Sequence, residues 1–195
     1  MQHISCDRKL LTCVQGIAIN SDMTYSFVES EKLPGLIIVA EERLDALADV
    51  LGRCVVVGKA QGSDLAGSRY YSPFAVEVSR PIIPSTHVTA ESGTGLVHCA
   101  PAHGTEDYHA FLELDPASFK AGLLCHVDGE GKFTDSISEV VGNLAAKDLV
   151  GQDIMKGGSR SMIKLLEAAG ALAKVQRIRH RYPYDWKTGE PVITL

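Results

Sequence analysis

The chain has no apolar run long enough to cross a bilayer, and its mean hydropathy is close to zero at +0.04. A spanning helix needs about 20 consecutive apolar residues, so no membrane partner is expected. Positive charge is not in excess either: 19 Lys and Arg against 24 Asp and Glu give a formal charge of −5 and a pI near 5.8. Such a balance does not suit a protein that coats nucleic acid, although a local basic stripe can still meet a phosphate backbone. Cysteine is sparse. Cys6, Cys13, Cys54, Cys99 and Cys125 are odd in number and contain no C-x-x-C pair, which argues against a disulfide scaffold or a zinc ribbon and fits a reducing compartment. Asp7 follows soon after Met1 with no apolar core between them, a poor match to a secretory or transit peptide. Internal repeats and low-complexity linkers are also missing. What remains is one ordinary domain, whose 195 residues, 45% hydrophobic and 22% charged, suffice for a single core.

What is present is a succession of short elements. Residues 15–19, 24–29 and 35–39 read as strands, with Pro34-Gly35 as a turn between the last two. Residues 41–51 read as a helix, because Leu44, Leu47, Ala48 and Leu51 share one face and Gly52 stops it. Further strands are expected at 54–58, at 74–78 and at 82–88, the last two separated by Pro81. Residues 96–100 make another strand, closed by Pro101, and 123–127 one more before the Asp128-Gly-Glu-Gly131 turn. A second helix starts near Ser159, with Met162, Leu165, Leu166 and Ala169 inward and Gly170 beyond it, and a last strand covers 172–182. Many short strands with two or three helices predict an α+β fold, a distorted β-barrel of short strands flanked by helices.

Chemistry concentrates in residues 93–108, Gly-Thr-Gly-Leu-Val-His-Cys-Ala-Pro-Ala-His-Gly-Thr-Glu-Asp-Tyr. The strand delivers His98, and Thr105 offers a hydroxyl cap to a helix whose first turn carries Glu106 and Asp107. His98 and Asp107 can then converge across a strand–loop–helix corner. Gly93 and Gly95 permit an unusual turn or a close substrate approach, Thr94 is a turn or pocket hydroxyl, and His103 shapes the loop. Taken alone, Asp107 would be a helix cap and His98 a core or edge histidine. A metallohydrolase built from His98, His103, Asp107 or His109 is an alternative, but H-x-x-x-x-H across a proline and a glycine is not the helical H-E-x-x-H pair. Near the C-terminus, strand alternation would put Arg177, Arg179 and Arg181 on one face, at a spacing that suits backbone phosphates. A solvated outer face explains them equally well.

The 93–108 span resembles the core motif of the editing domain inserted in class I aminoacyl-tRNA synthetases for branched aliphatic amino acids. The histidine at position 98 resembles the isoleucyl type, where valyl enzymes usually carry lysine and leucyl ones methionine. Ile37-Ile-Val-Ala-Glu41, Gly62-Ser-Asp-Leu-Ala-Gly67, Tyr70-x-x-Pro-Phe74, residues 81–88, Gly131-Lys-Phe-Thr134 and the closing 181–191 segment follow in the family's order. The resemblance runs over residues 15–194 and is nearest the bacterial and mitochondrial branch. It divides the chain into an atypical N-terminal segment, 1–14, and an editing domain, 15–195.

That resemblance implies hydrolysis of the ester in valyl-tRNA made in error for isoleucine. One methylene in a hydrophobic pocket discriminates by only about 1–3 kcal/mol, isoleucyl enzymes being the standard instance of this limit, so a second pocket must remove the smaller amino acid. Carried over by position, the catalytic pair would be Asp107, binding the α-ammonium, and His98, lining the pocket floor, limiting side-chain size and contacting the terminal adenosine or the attacking water. Gly93, Thr94, Gly95 and His103 would complete the substrate site. Positioned water would attack, with no metal, no cofactor and no covalent nucleophile. The implied partners are the acceptor end of tRNA(Ile) carrying valine and the remainder of the synthetase, in the cytoplasm or mitochondrial matrix. No HIGH-like or KMSKS-like signature is present, so aminoacylation is not expected of this chain. The family's threonine-rich strand with its Pro-Trp-Thr step is replaced by residues 2–13, which hold Thr12 alone and neither Pro nor Trp. An inactive fragment that folds, and can bind the acceptor end without hydrolysis, is therefore a second reading.

Overall fold

The structure is a computed structural model that describes residues 14–74, 77–114, 116, 119, 122–175, 184–187 and 189. Its strands are β1 (Gly16–Ile19), β2 (Thr24–Ser30), β3 (Leu36–Ala40), β4 (Cys54–Gln61), β5 (Arg69–Tyr71), β6 (Ser79–Pro84) and β7 (Leu96–Cys99). They form two sheets, one ordered β5-β6-β1-β7 and one ordered β3-β2-β4. β1 runs parallel to β6 and antiparallel to β7, and the other pairings are antiparallel. The helices are α1 (Ala48–Leu51), α2 (Gly62–Leu65), α3 (Thr105–Leu114), α4 (Ser138–Val141), α5 (Asn143–Ala146) and α6 (Ser159–Ala168). This is the α+β class expected, with two small sheets and flanking helices. No helix among the described residues is long and apolar enough to cross a membrane.

β1 is the hub. All four residues of Gly-Ile-Ala-Ile are buried because both faces are covered, so the strand reads apolar without alternation. Ala18 packs with Ile83, Cys99, Ala110 and Phe111 under α3, whereas Ile17 and Ile19 pack with Tyr25, Ala40 and Leu96 toward the second sheet. The two sheets are joined where β3 ends. The Ala40 N–H donates to the Thr94 carbonyl at 2.8 Å, and the Tyr25 hydroxyl donates to the Gly95 carbonyl at 2.8 Å while accepting from the Asn20 N–H at 3.0 Å. Tyr25 is fully buried, and burial raises its pKa, partly offset by the Asn20 hydrogen bond. Tyr25→Phe strands two polar partners at once, and urea denaturation should show a loss of about 1–3 kcal/mol.

Several local expectations change. Residues 41–51 form two 3₁₀ turns, Glu41–Arg43 and Asp45–Leu47, before the single turn of α1, rather than one continuous helix. Pro81 does not separate two strands: it lies inside β6, paired with Arg69. The Ile82 N–H donates to Ser68 on the β5 side, so the Pro81 nitrogen faces the β1 side. There the parallel register has not yet begun, its first pair being Ile17 with Ile82, and no ladder bond is lost. β6 ends at Pro84, leaving Val88 buried on a loop. Residues 123–127 contribute only the isolated Val127–Phe133 bridge, and 172–175 have no regular structure. The expected strand at 74–78 has residues 75 and 76 outside the described residues, and the expected last strand has 176–182 outside them.

A second core, made of Val127, Phe133, Ile137, Val140, Leu149, Ile154 and Met162 among others, joins the first through Ala100. His126 is 2% exposed beside it, with Nδ1 2.8 Å from the Ser136 hydroxyl. Burial pushes its pKa below the ordinary histidine value, with Glu139 opposing and Arg80 reinforcing the shift. The unfolded chain therefore binds the extra proton first. Stability from this group is full above about pH 6.5 and falls as pH drops from there toward the folded pKa, by at most about 1.4 kcal/mol per pH unit. Urea midpoints at pH 7.5 and 5.5 should differ less in His126→Gln than in the parent.

Candidate functional site

The 93–108 span folds as a strand, a tight loop and a helix. β7 stops at Cys99, and the Ala100 carbonyl then accepts the N–H groups of His103 (2.9 Å) and Gly104 (3.1 Å). This turn carries the chain past Pro101 into α3. Thr105 is the first helical residue rather than the residue before the helix. The Tyr108 N–H returns to Gly104 at 2.8 Å.

Asp107 is 7% exposed and ties the two ends of this corner together. Its Oδ2 accepts the Ala100 N–H at 2.8 Å, so the carboxylate holds the end of β7 instead of only capping its own helix. Its Oδ1 lies 3.6 Å from His87 Nε2. The His87 ring is fixed from the other side, Nδ1 standing 2.7 Å from the Ser85 hydroxyl. Cys99 completes the group: one ligand-type atom from each of His87, Cys99 and Asp107 lies within 4.8 Å of the others. Burial pushes the Cys99 thiol far above its ordinary pKa, and the Asp107 charge adds to that, so this cysteine is a protonated thiol and not a nucleophile.

His98 does not join that group. It pairs with Ile17, while Gly16 pairs with Cys99, and side chains alternate along a strand. His98 therefore shares the face of Ile17 and Leu96, and Cys99 takes the face of α3. The half-buried His103 sits in the loop with Nε2 4.0 Å from the Cys125 thiol. Thr94 is 3% exposed, with its hydroxyl 3.4 Å from both the N–H and the carbonyl of Leu96, which makes it a turn hydroxyl. The Gly93 carbonyl accepts from Arg43 Nε at 3.1 Å, and Arg43 Nη1 reaches the Ala90 carbonyl at 3.2 Å. Arg177, Arg179, Arg181 and residues 1–13 lie outside the described residues.

Sequence reasoning missed His87, Cys99 and Arg43. Nothing local marks His87 or Arg43, and Cys99 lies in the 93–108 motif without a local sign of its partners, since a loop, a strand end and a 3₁₀ turn meet only in the fold. The nearest signal is the Ser85-x-His87 spacing, which lets a hydroxyl orient a ring two residues later. Chemically, the corner offers a buried carboxylate with one oxygen committed to the backbone and one facing a histidine. That second oxygen is suited to a cation, whether an ammonium group or a metal ion.

No family model matches the chain. Isoleucine–tRNA ligase from Acaryochloris marina is 37% identical over 178 residues, covering 91% of this chain and 17% of the ligase. The mitochondrial isoleucine–tRNA ligase of Gallus gallus is 36% identical over 181 residues, covering 92% of this chain and again 17% of the ligase. The chain is a homologue of one segment of isoleucine–tRNA ligases. It spans about a sixth of the length of those relatives. Among solved structures, GlLeuRS-CP1 aligns with a TM-score of 0.65 at 14% identity, over 90% of this chain and 83% of that one. The editing domain of the P. falciparum cytosolic leucyl-tRNA synthetase aligns with a TM-score of 0.57 at 12% identity, over 85% and 76%. At that identity these likenesses speak for the fold alone. The segment shared with isoleucine–tRNA ligases thus has the fold of a synthetase editing domain.

Proposed function

We propose that this chain performs the editing reaction of an isoleucine–tRNA ligase, hydrolysing the ester that joins valine to tRNA(Ile). Water adds to the ester carbonyl, the ester C–O bond breaks, and the terminal ribose hydroxyl of the tRNA leaves with a proton. Asp107 carries the reading. With Oδ2 held on Ala100, its Oδ1 is pre-oriented to pair with the α-ammonium of the misattached amino acid, which fixes the carbonyl against the attacking water. His98, on the other face of β7, limits side-chain size. The Gly93-Thr94-Gly95 turn and His103 frame the terminal nucleotide, and Arg177, Arg179 and Arg181 contact backbone phosphates. Editing is assigned to residues 15–195, with 1–14 as an atypical leading segment. The partners are tRNA(Ile) and the remainder of a synthetase, in a bacterial cytoplasm or a mitochondrial matrix, consistent with the kinds of relatives found.

One observation favours a second reading. Residues 2–13 contain Thr12 as their only threonine and no Pro or Trp, so the hydroxyl-rich wall implied by the resemblance is missing from that stretch. The chain would then bind the acceptor end without cleaving it. Preformed valyl-tRNA(Ile) incubated with the full chain separates the two. Release of valine above the uncatalysed rate, with isoleucyl-tRNA(Ile) spared, supports editing. Retained tRNA binding with release at the uncatalysed rate supports the binding fragment.

A further inference from the structure

We propose that His87, Cys99 and Asp107 form a binding site for a thiophilic divalent cation of the zinc type. The three residues come from separate parts of the chain: the loop after β6, the end of β7 and the first turn of α3. The histidines predicted from sequence as metal candidates, His98, His103 and His109, are not among them. One ligand-type atom from each lies within 4.8 Å of the others. A tetrahedral zinc site with bonds of about 2.0–2.3 Å needs its ligands about 3.3–3.8 Å apart, so a closure of about 1 Å by side-chain rotation completes it.

Each ligand is oriented as a metal ligand would be. Metal-binding histidines engage the remote ring nitrogen with a polar partner, which fixes the tautomer and the ring plane. Here Ser85 does that at Nδ1, 2.7 Å away, and Nε2 is buried with no hydrogen-bond partner. Asp107 spends Oδ2 on Ala100 and turns Oδ1 to the same space, 3.6 Å from Nε2. Cys99 is fully buried, its thiol making a long contact of 3.7 Å with the Val97 carbonyl and also meeting the Asp107 carboxylate and the Ala18 backbone.

The charges also match. One thiolate, one carboxylate and a neutral imidazole neutralise a dication, whereas a thiolate beside Asp107 without a cation would be two buried negative charges. On binding, the Cys99 S–H bond breaks, a metal–sulfur bond forms, and one proton passes to solvent, with no change of oxidation state. A mixed N, S and O set selects zinc-like ions over Mg²⁺ and Ca²⁺, which take oxygen ligands. Three protein ligands leave the fourth position open. The consequence for activity rests on the editing reading: the metal would occupy the Asp107 oxygen assigned to the ammonium, making zinc a competitive inhibitor.

Cobalt(II), a spectroscopic substitute for zinc, tests the site in the full chain prepared with chelator and reductant. The expected result is one Co²⁺ per chain, a near-ultraviolet thiolate-to-cobalt band, one proton released per ion, and displacement by Zn²⁺ but not by Ca²⁺. Cys99→Ala should remove the band. Ser85→Ala keeps all three ligands and should weaken binding about ten- to a hundredfold, and circular dichroism checks that each variant folds. A parent without the thiolate band, or a band unchanged in folded Cys99→Ala, overturns the proposal, the latter by assigning the metal to another thiol. Valine release in chelator without any metal band sinks the metal site and leaves editing standing. A metal band, together with no valine release from the metal-free chain in chelator, supports the site and sinks editing.

Discussion

With Asp107 replaced by asparagine, valine release from preformed valyl-tRNA(Ile) should fall about ten- to a hundredfold in kcat/KM while the unfolding midpoint moves little. The asparagine carbonyl can still accept the Ala100 N–H that Asp107 Oδ2 holds at 2.8 Å, so the tie between β7 and α3 survives. What disappears is the charge that would meet the substrate ammonium. Hydrogen bonds to charged groups contribute about 1.5–3 kcal/mol, and each 1.4 kcal/mol is about a factor of ten in rate. Asp107→Ala should lose the same rate and in addition destabilise the fold by about 1–3 kcal/mol, because it leaves a buried N–H without an acceptor. If the Asp107→Asn variant retained full activity, Asp107 would be a structural tether and the ammonium anchor would lie elsewhere.

A large stability effect is expected at Gly95. Its φ is +77°, and a Cβ built there would come 2.3 Å from the Ala40 Cβ. Gly95→Ala therefore combines a left-handed backbone conformation, about 1–3 kcal/mol for a residue with a side chain, with overpacking of about 1–3 kcal/mol. A loss of roughly 3–5 kcal/mol in urea denaturation follows. Neither neighbour can retreat cheaply, since Ala40 is bonded to Thr94 and the Gly95 carbonyl to Tyr25. Gly93→Ala is the control: φ is +64° but nothing lies within 4 Å of its Cβ, so only the backbone cost of about 1–2 kcal/mol remains. Equal losses at the two positions would mean that the sheets are not held together at Ala40.

Much of the fold was legible because burial imposes short-range patterns. β1, β2, β3 and β7 fall within a residue or so of the expected spans, each being a short stretch with β-branched, aromatic or aliphatic residues between turn residues. α6 followed from the spacing of Met162, Leu165 and Leu166. Legibility failed where tertiary contacts outweigh local preference. Pro81 reads as a strand breaker, yet it is accommodated because its missing N–H faces a point where β1 has not begun to pair. Residues 41–51 show helical spacing, yet only the last four are α-helical. Leu123 to Val127 has strand composition but no continuous partner.

The candidate site divides along the same line. The amino-acid sequence alone determined the motif from Gly93 to Tyr108, the α+β class and the resemblance to an editing domain, because these depend on residue identity, order and short-range periodicity. Only the tertiary structure decided what Asp107 touches. It turned His98 away from that carboxylate, since a one-residue step along β7 reverses the face. It also brought Ser85 and His87 to Cys99 and Asp107, a meeting set by the parallel pairing of β1 with β6 and the docking of α3 against β6. Contacts between residues distant in sequence arise from how sheets and helices pack, and no local pattern encodes them.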